Sequence, residues 1–195
     1  MDEILALVGF AIVSSVTPGP NNMLLWASGA GFGARRTVGH VLGTALGIGS
    51  MALAVVVGIG TLITAVPQVE LAMKVVGSLY LLYLAYQVAG AGALQRGAIA
   101  RPLGIAQAAA FQVINPKAWT FAVGAVTTFR PSDLSSFAGG AVVAVVMMLV
   151  TIPTAALWAA AGGAFSRLLV DERTHRIVNL VLAALLALSV VSVWV

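Results

Sequence analysis

The sequence predicts an all-α membrane protein of about six transmembrane helices, arranged as a 3+3 inverted repeat with helices one and four broken at proline motifs. Three observations carry that prediction. Of 195 residues, 61% are hydrophobic and only 8% charged, whereas a soluble domain carries about 25% charged residues. The apolar residues fall into six long runs, and ~20 such residues are needed for a helix to cross the hydrocarbon core. Runs one and four are each interrupted by proline, at a depth where lipid offers freed backbone groups no partner.

The first run extends from about Ile4 to Ala30 and contains Thr17-Pro18-Gly19-Pro20-Asn21-Asn22. Two prolines and a glycine in three positions remove backbone donors and disfavour a continuous helix. Two asparagines follow, adding amide groups that lipid does not satisfy. Such a break persists where it is buried in protein or lines a polar cavity, so the stretch reads as half of a small-solute site. The alternative is a short loop between two hydrophobic segments.

The second run, about Val38 to Ala65, is closed by Pro67 and carries Gly39, Gly43 and Gly47 at every fourth position. That spacing puts small residues on one face and reads as a packing surface. The third run covers Leu71 to Ala89 and the fourth Leu103 to Phe129. The fifth, Leu134 to Ala164, contains Pro153, and the sixth covers Ile177 to Val195. Within the fourth, Ile114-Asn115-Pro116-Lys117-Ala118-Trp119 repeats the theme of the first break and adds a lysine. Each break opens a set of three segments. Three is odd, so the second set is inverted relative to the first, which places a site at the repeat interface. Residues 1–195 then form a single transporter domain, with repeat one at about 1–92 and repeat two at about 103–195.

The basic residues orient the chain. Connections one, three and five hold Arg35, Arg36, Arg96, Arg101, Arg167, Arg173 and Arg176, against Arg130 alone on the other side. The odd connections are therefore expected in the cytoplasm and both termini outside; if the first segment re-enters instead of crossing, the N-terminus moves to the cytoplasm and five segments span. The same scattering between apolar runs argues against a nucleic-acid partner, despite a net charge of +4. No cysteine is present, so disulfides, thiolate metal sites and cysteine nucleophiles are excluded. No metal site, cofactor motif or glycine-rich phosphate loop is found. The acidic start Met1-Asp2-Glu3 is unlike a secretory signal.

Lys117 is the sharpest candidate. A lysine at bilayer depth is costly and is expected to meet a partner. That partner is either the α-carboxylate of a substrate or backbone carbonyls exposed by the first break; snorkelling to an interface is a third outcome. Lys74 follows Glu70 by four residues and reads as a rim ion pair or a pathway residue. Tyr80, Tyr83 and Trp119 either line a pathway or pack. His40, close to Arg35 and Arg36, reads as an interfacial histidine.

These motifs carry a resemblance. Thr17-Pro18-Gly19-Pro20-Asn21-Asn22, Asn115-Pro116-Lys117 and the stretch from Lys74 to Leu84 resemble the signatures of the lysine exporter/threonine-resistance (LysE/RhtB) superfamily of amino-acid efflux proteins, over essentially the whole chain. Val123 to Phe129 and Asn179 to Leu186 resemble its cysteine/O-acetylserine branch. The resemblance implies a secondary exporter of small neutral amino acids or related metabolites, multi-pass in the bacterial cytoplasmic (inner) membrane, with proton antiport as the family's usual mode; this sequence has no central carboxylate relay, so the coupling ion stays open. Its relatives that export cationic amino acids often carry an acid in the second segment, and none occurs here. The two breaks and the lysine put Pro18, Gly19, Pro20, Asn21, Asn22, Asn115, Pro116 and Lys117 at the expected substrate site. A passive channel and an intramembrane enzyme are the alternatives; the enzyme lacks a central acid pair, a zinc motif or a positioned base. Homo-oligomerisation is compatible with the pattern and not specified by it.

Overall fold

The first apolar run forms two helices, not one. In the computed structural model, which describes residues 2–59, 66–90, 101–168 and 172–194, α1 spans Asp2–Val16 and α2 spans Pro20–Phe32. Their axes differ by 62°. Gly19 is fully extended (φ −175°, ψ 175°), and Pro20 is the first residue of α2, where its fixed φ and missing N–H are tolerated. Gly33 ends α2 at φ 84°, donating its N–H to the Gly29 carbonyl at 2.8 Å. That left-handed conformation favours glycine. A 3₁₀ turn, Ala34–Thr37, leads into α3, Val38–Val56.

Helix α4 is Pro67–Gly90. The fourth run is again two helices, α5 (Ile105–Val113) and α6 (Pro116–Phe129), with Pro116 opening the second. Helix α7, Ser136–Leu168, continues through Pro153 for 33 residues, about 50 Å at 1.5 Å per residue. The chain closes with α8, Glu172–Ser189, and the short α9, Val191–Trp194. Ala34–Val56 and Ser136–Ser166 are each long and apolar enough to cross a membrane, and the bent α1–α2 pair makes a third if it is one span. No strand occurs among the described residues.

Helices α3 and α7 form the centre. Helix α7 packs along α1, α2 and α3, while α3 packs along α5, α6 and α7; α4 pairs with α8. The close approaches rest on glycine. A Cβ at Gly43 would overlap the Ile105 carbonyl, and one at Gly47 would come 2.7 Å from Gln112 Cγ. The glycine face of α3 is thus its seam with α5. At the α2–α7 crossing, a Cβ at Gly29 would overlap Ala159, and one at Gly162 would overlap Trp26.

The apolar core divides around the breaks. One cluster joins α1 (Leu7, Ala11) and α6 (Phe121, Ala122) to the end of α3 and the start of α7. A second joins α2 (Met23, Leu24) and α5 (Phe111) to α4 and α8. A third, smaller one holds Leu25 of α2, Val41 near the start of α3, and Ala155 and Ala159 in the second half of α7.

His40 departs from its expected interfacial position. It is fully buried, with neither ring nitrogen hydrogen-bonded, in a small pocket lined by Leu24, Ser28, Leu84, Pro102 and Leu103. The neighbouring arginines are exposed, but the chain at 102–103 and helices α2 and α4 cover the first turn of α3.

Candidate functional site

At the first break, backbone carbonyls without helical partners are met by side chains. Thr17 turns its N–H and hydroxyl back to the Val13 carbonyl. Asn22 Nδ2 donates to the carbonyls of Ser15 (2.7 Å) and Thr17 (2.9 Å). Lys117 Nζ, brought in from the second break, donates to the carbonyls of Thr17 (2.6 Å) and Pro18 (3.3 Å). Gly19 makes room for that lysine: a Cβ there would sit 2.8 Å from Lys117 Cδ. The end of α1 is a concentration of partial negative charge, and an ammonium placed on it is held by charge as well as by hydrogen bonds.

The second break is satisfied locally. Asn115 donates its N–H to the Gln112 carbonyl at 3.1 Å, and its own carbonyl accepts from Ala118 (2.9 Å) and Trp119 (3.4 Å). The Trp119 indole donates to the Val113 carbonyl at 2.8 Å. The Ile114 carbonyl faces Gly77 of α4, where a Cβ would lie 2.6 Å away.

Both breaks open on one cavity of about 50 Å³. At 10–15 Å³ per water, it has room for roughly three to five waters. The first break contributes Gly19, Asn21 and Asn22, and the second Asn115 and Lys117. The remaining polar lining comes from Ser14 and Ser15 of α1, Thr44 of α3, Gln112 of α5, and Thr151 and Thr154 of α7; Ile48, Ala118, Phe121 and Ala155 supply the apolar wall. Lys117 is the only charged side chain among the described lining residues.

A polar chain crosses this cavity. Asn21 Oδ1 accepts from Gln112 Nε2 (2.9 Å) and Thr44 Oγ1 (3.2 Å), and Gln112 Oε1 accepts from Asn115 Nδ2 (3.3 Å). Four residues from α2, α3, α5 and the second break are thereby linked. Two oxygens on lining residues, Asn115 Oδ1 and Thr151 Oγ1, are buried and unpartnered.

Of the eight residues expected at the substrate, Gly19, Asn21, Asn22, Asn115 and Lys117 line the cavity, while Pro18, Pro20 and Pro116 shape its backbone. The four expected pathway residues lie elsewhere. Tyr80 packs on Phe111 (5.5 Å between centroids) and Tyr83, Tyr83 is exposed, Trp119 caps the second break, and Lys74 is absent from the described lining. Sequence reasoning missed Gln112, Thr44 and Thr151. An amide three residues before Asn115 in an apolar run, and a threonine two before Pro153, were the available signals.

Comparison with known proteins gives one family. The profile described as LysE type translocator matches residues 12–193. Proteins named cysteine/O-acetylserine efflux protein, from Escherichia coli strain K12 and Shigella sonnei strain Ss046, are each 26% identical over 186 residues, covering 95% of this chain and 94% of the relative. The protein of the same name from Salmonella typhimurium strain LT2 is 25% identical over the same length. No solved structure matches at a significant level.

Proposed function

The chain belongs to the LysE type translocator family, and on that premise we propose that it is a secondary transporter exporting small neutral amino acids or related metabolites from the cytoplasm. It is an integral membrane transporter and not an enzyme. The observation that carries the substrate reading is the cavity: two helix breaks meet there around one cation, with no acid among its described lining. An α-carboxylate would take the third N–H of Lys117 and would sit near the partial positive charge at the start of α2 and α6. A second positive charge on the substrate would meet no counter-charge. The small volume favours short side chains, in keeping with the cysteine and O-acetylserine named for its relatives.

The same proposal makes the protein one domain of two intertwined halves, about 1–92 and 103–195, with six spans in a bacterial cytoplasmic membrane. Sequence order pairs α1 with α5, α2 with α6, and α3 with α7. Exchanging those partners turns the α1–α6 cluster into the α2–α5 cluster. It also carries the contact of late α3 with early α7 into that of late α7 with early α3. That exchange supports an inverted repeat with the cavity at its centre. Without a phosphate-binding loop, the energy comes from a gradient, with the proton as the coupling ion.

The test is counter-exchange in proteoliposomes, screening amino acids with and without a pH gradient. Saturable exchange of small neutral amino acids, accelerated by the gradient, is expected. Flux that neither saturates nor counter-exchanges would make the protein a channel.

A further inference from the structure

We infer that Asn115 Oδ1 and Thr151 Oγ1 form the subsite for the substrate's α-ammonium group. The inference rests on the amino-acid reading above and adds what that reading lacks, a partner for the other charged end of the zwitterion.

The chemistry of the lining separates by what is already used. Lys117 Nζ, Asn22 Nδ2 and Asn115 Nδ2 are donors engaged with carbonyl oxygens: Lys117 and Asn22 with the first break, Asn115 with the Gln112 amide. Asn115 Nδ2 being occupied, its Oδ1 is turned to the other side as a pure acceptor without a donor. Thr151 is exceptional for its type. Thr17, Thr37 and Thr154 each turn their hydroxyl onto the carbonyl four residues earlier, the usual resting place of a helical threonine. The Thr151 hydroxyl is buried and makes no such bond. A buried acceptor left open costs stability, so both oxygens await a donor. A ligand that fills this cavity can bring that donor, and an ammonium has three N–H groups.

The placement also explains specificity. Two neutral oxygens can hold an ammonium whose charge is balanced by the carboxylate of the same molecule. They cannot neutralise a second cation. Thr151 comes from α7 and Asn115, like Lys117, from the second break, so an amino acid held by all three bridges the second break and the central helix α7.

The experiment reads discrimination, not activity alone. Exchange of labelled L-cysteine is measured in proteoliposomes against unlabelled L-cysteine and against 3-mercaptopropionate, the same molecule without the ammonium. The wild-type protein should prefer cysteine by roughly 100-fold or more. Thr151→Val, which keeps shape and removes the acceptor, should weaken cysteine about tenfold or more while leaving 3-mercaptopropionate unchanged; Asn115→Ala should do the same. Thr151→Ser should restore the preference. If Thr151→Val weakens both compounds equally, or leaves the preference intact, the subsite is wrong although the exporter reading stands. If the wild-type protein exchanges neither cysteine nor any other small neutral amino acid, that reading fails and takes this inference with it. Should Asn115→Ala fail to fold, the isosteric Thr151→Val decides the matter.

Discussion

The two helix breaks are alike in sequence and differ in what holds them. Each ends one helix, passes through an extended residue and restarts at a proline. At Ile114 and Asn115 every partner named above is near in sequence or is the packed face of Gly77. At Thr17 and Pro18 the carbonyls depend on Asn22 and on a lysine 100 residues away. Thr17 and Pro18 are exposed, whereas Asn115 is buried. The second break is therefore a rigid mount, and the first is a surface whose partner arrives from that mount. On the proposed reading, a substrate carboxylate shares one ammonium with the Thr17 and Pro18 carbonyls. Binding at one break is then felt at the other.

The largest way to break this comparison is to abolish the first break. Replacing Pro18, Gly19 and Pro20 together by alanine lets α1 run into α2, ties up in helix the carbonyls that Lys117 holds, and puts a Cβ 2.8 Å from Lys117 Cδ. Misplacement of positioning groups by about an ångström costs on the order of 100-fold. Transport should fall at least that far while the protein still inserts. Proteoliposome exchange at equal reconstituted protein measures it; native flux would make the stretch a mere connection.

A smaller, sharper change is Lys117→Met, which keeps length and removes charge. Hydrogen bonds to a charged group contribute about 1.5–3 kcal/mol, so the apparent KM should rise roughly tenfold to 100-fold. Insertion should not suffer, because a charge leaves the bilayer depth. Lys117→Arg should retain part of the affinity, with charge kept and head-group shape altered. Native KM and rate in Lys117→Met would leave the lysine as a cap for α1 and nothing more.

Residues that act through their own backbone were legible in the sequence. Pro18, Gly19, Pro20 and Pro116 interrupt their runs through their own backbone chemistry, and Gly43 and Gly47 admit a neighbouring helix because they have no side chain. Lys117 was legible as a cation needing a partner, and the carbonyls of the first break were one of the partners foreseen. What was not legible depends on contacts between distant elements. Gln112 meets Asn21 across 91 positions and Thr44 meets it across 23; neither pairing leaves a local trace. Thr151 reads as an ordinary helical threonine until its unused hydroxyl is seen. His40 was misplaced because Arg35 and Arg36 are a local signal, while the cover over it comes from α2, α4 and the chain at 102–103.

The smallest expected effect belongs to the rigid break, and it completes the comparison. Trp119→Phe removes the indole N–H from the Val113 carbonyl, which ends α5, and keeps an aromatic ring in the first apolar cluster. A part-buried carbonyl without its donor costs about 1 kcal/mol, to which the missing ring atoms add a little through looser packing. For a chain of this size, 1 kcal/mol corresponds to a Tm shift of about 2–4 °C. The remaining bonds of the break, Asn115 to Gln112 and Ala118 to Asn115, do not involve the indole. Lys117 should then stay where it is, and with it the cavity. The variant should melt a few degrees lower in detergent and exchange substrate with an unchanged KM. Since Trp119 stands two positions from Lys117, a raised KM would mean that the second break is no firmer than the first and that the lysine moves with it.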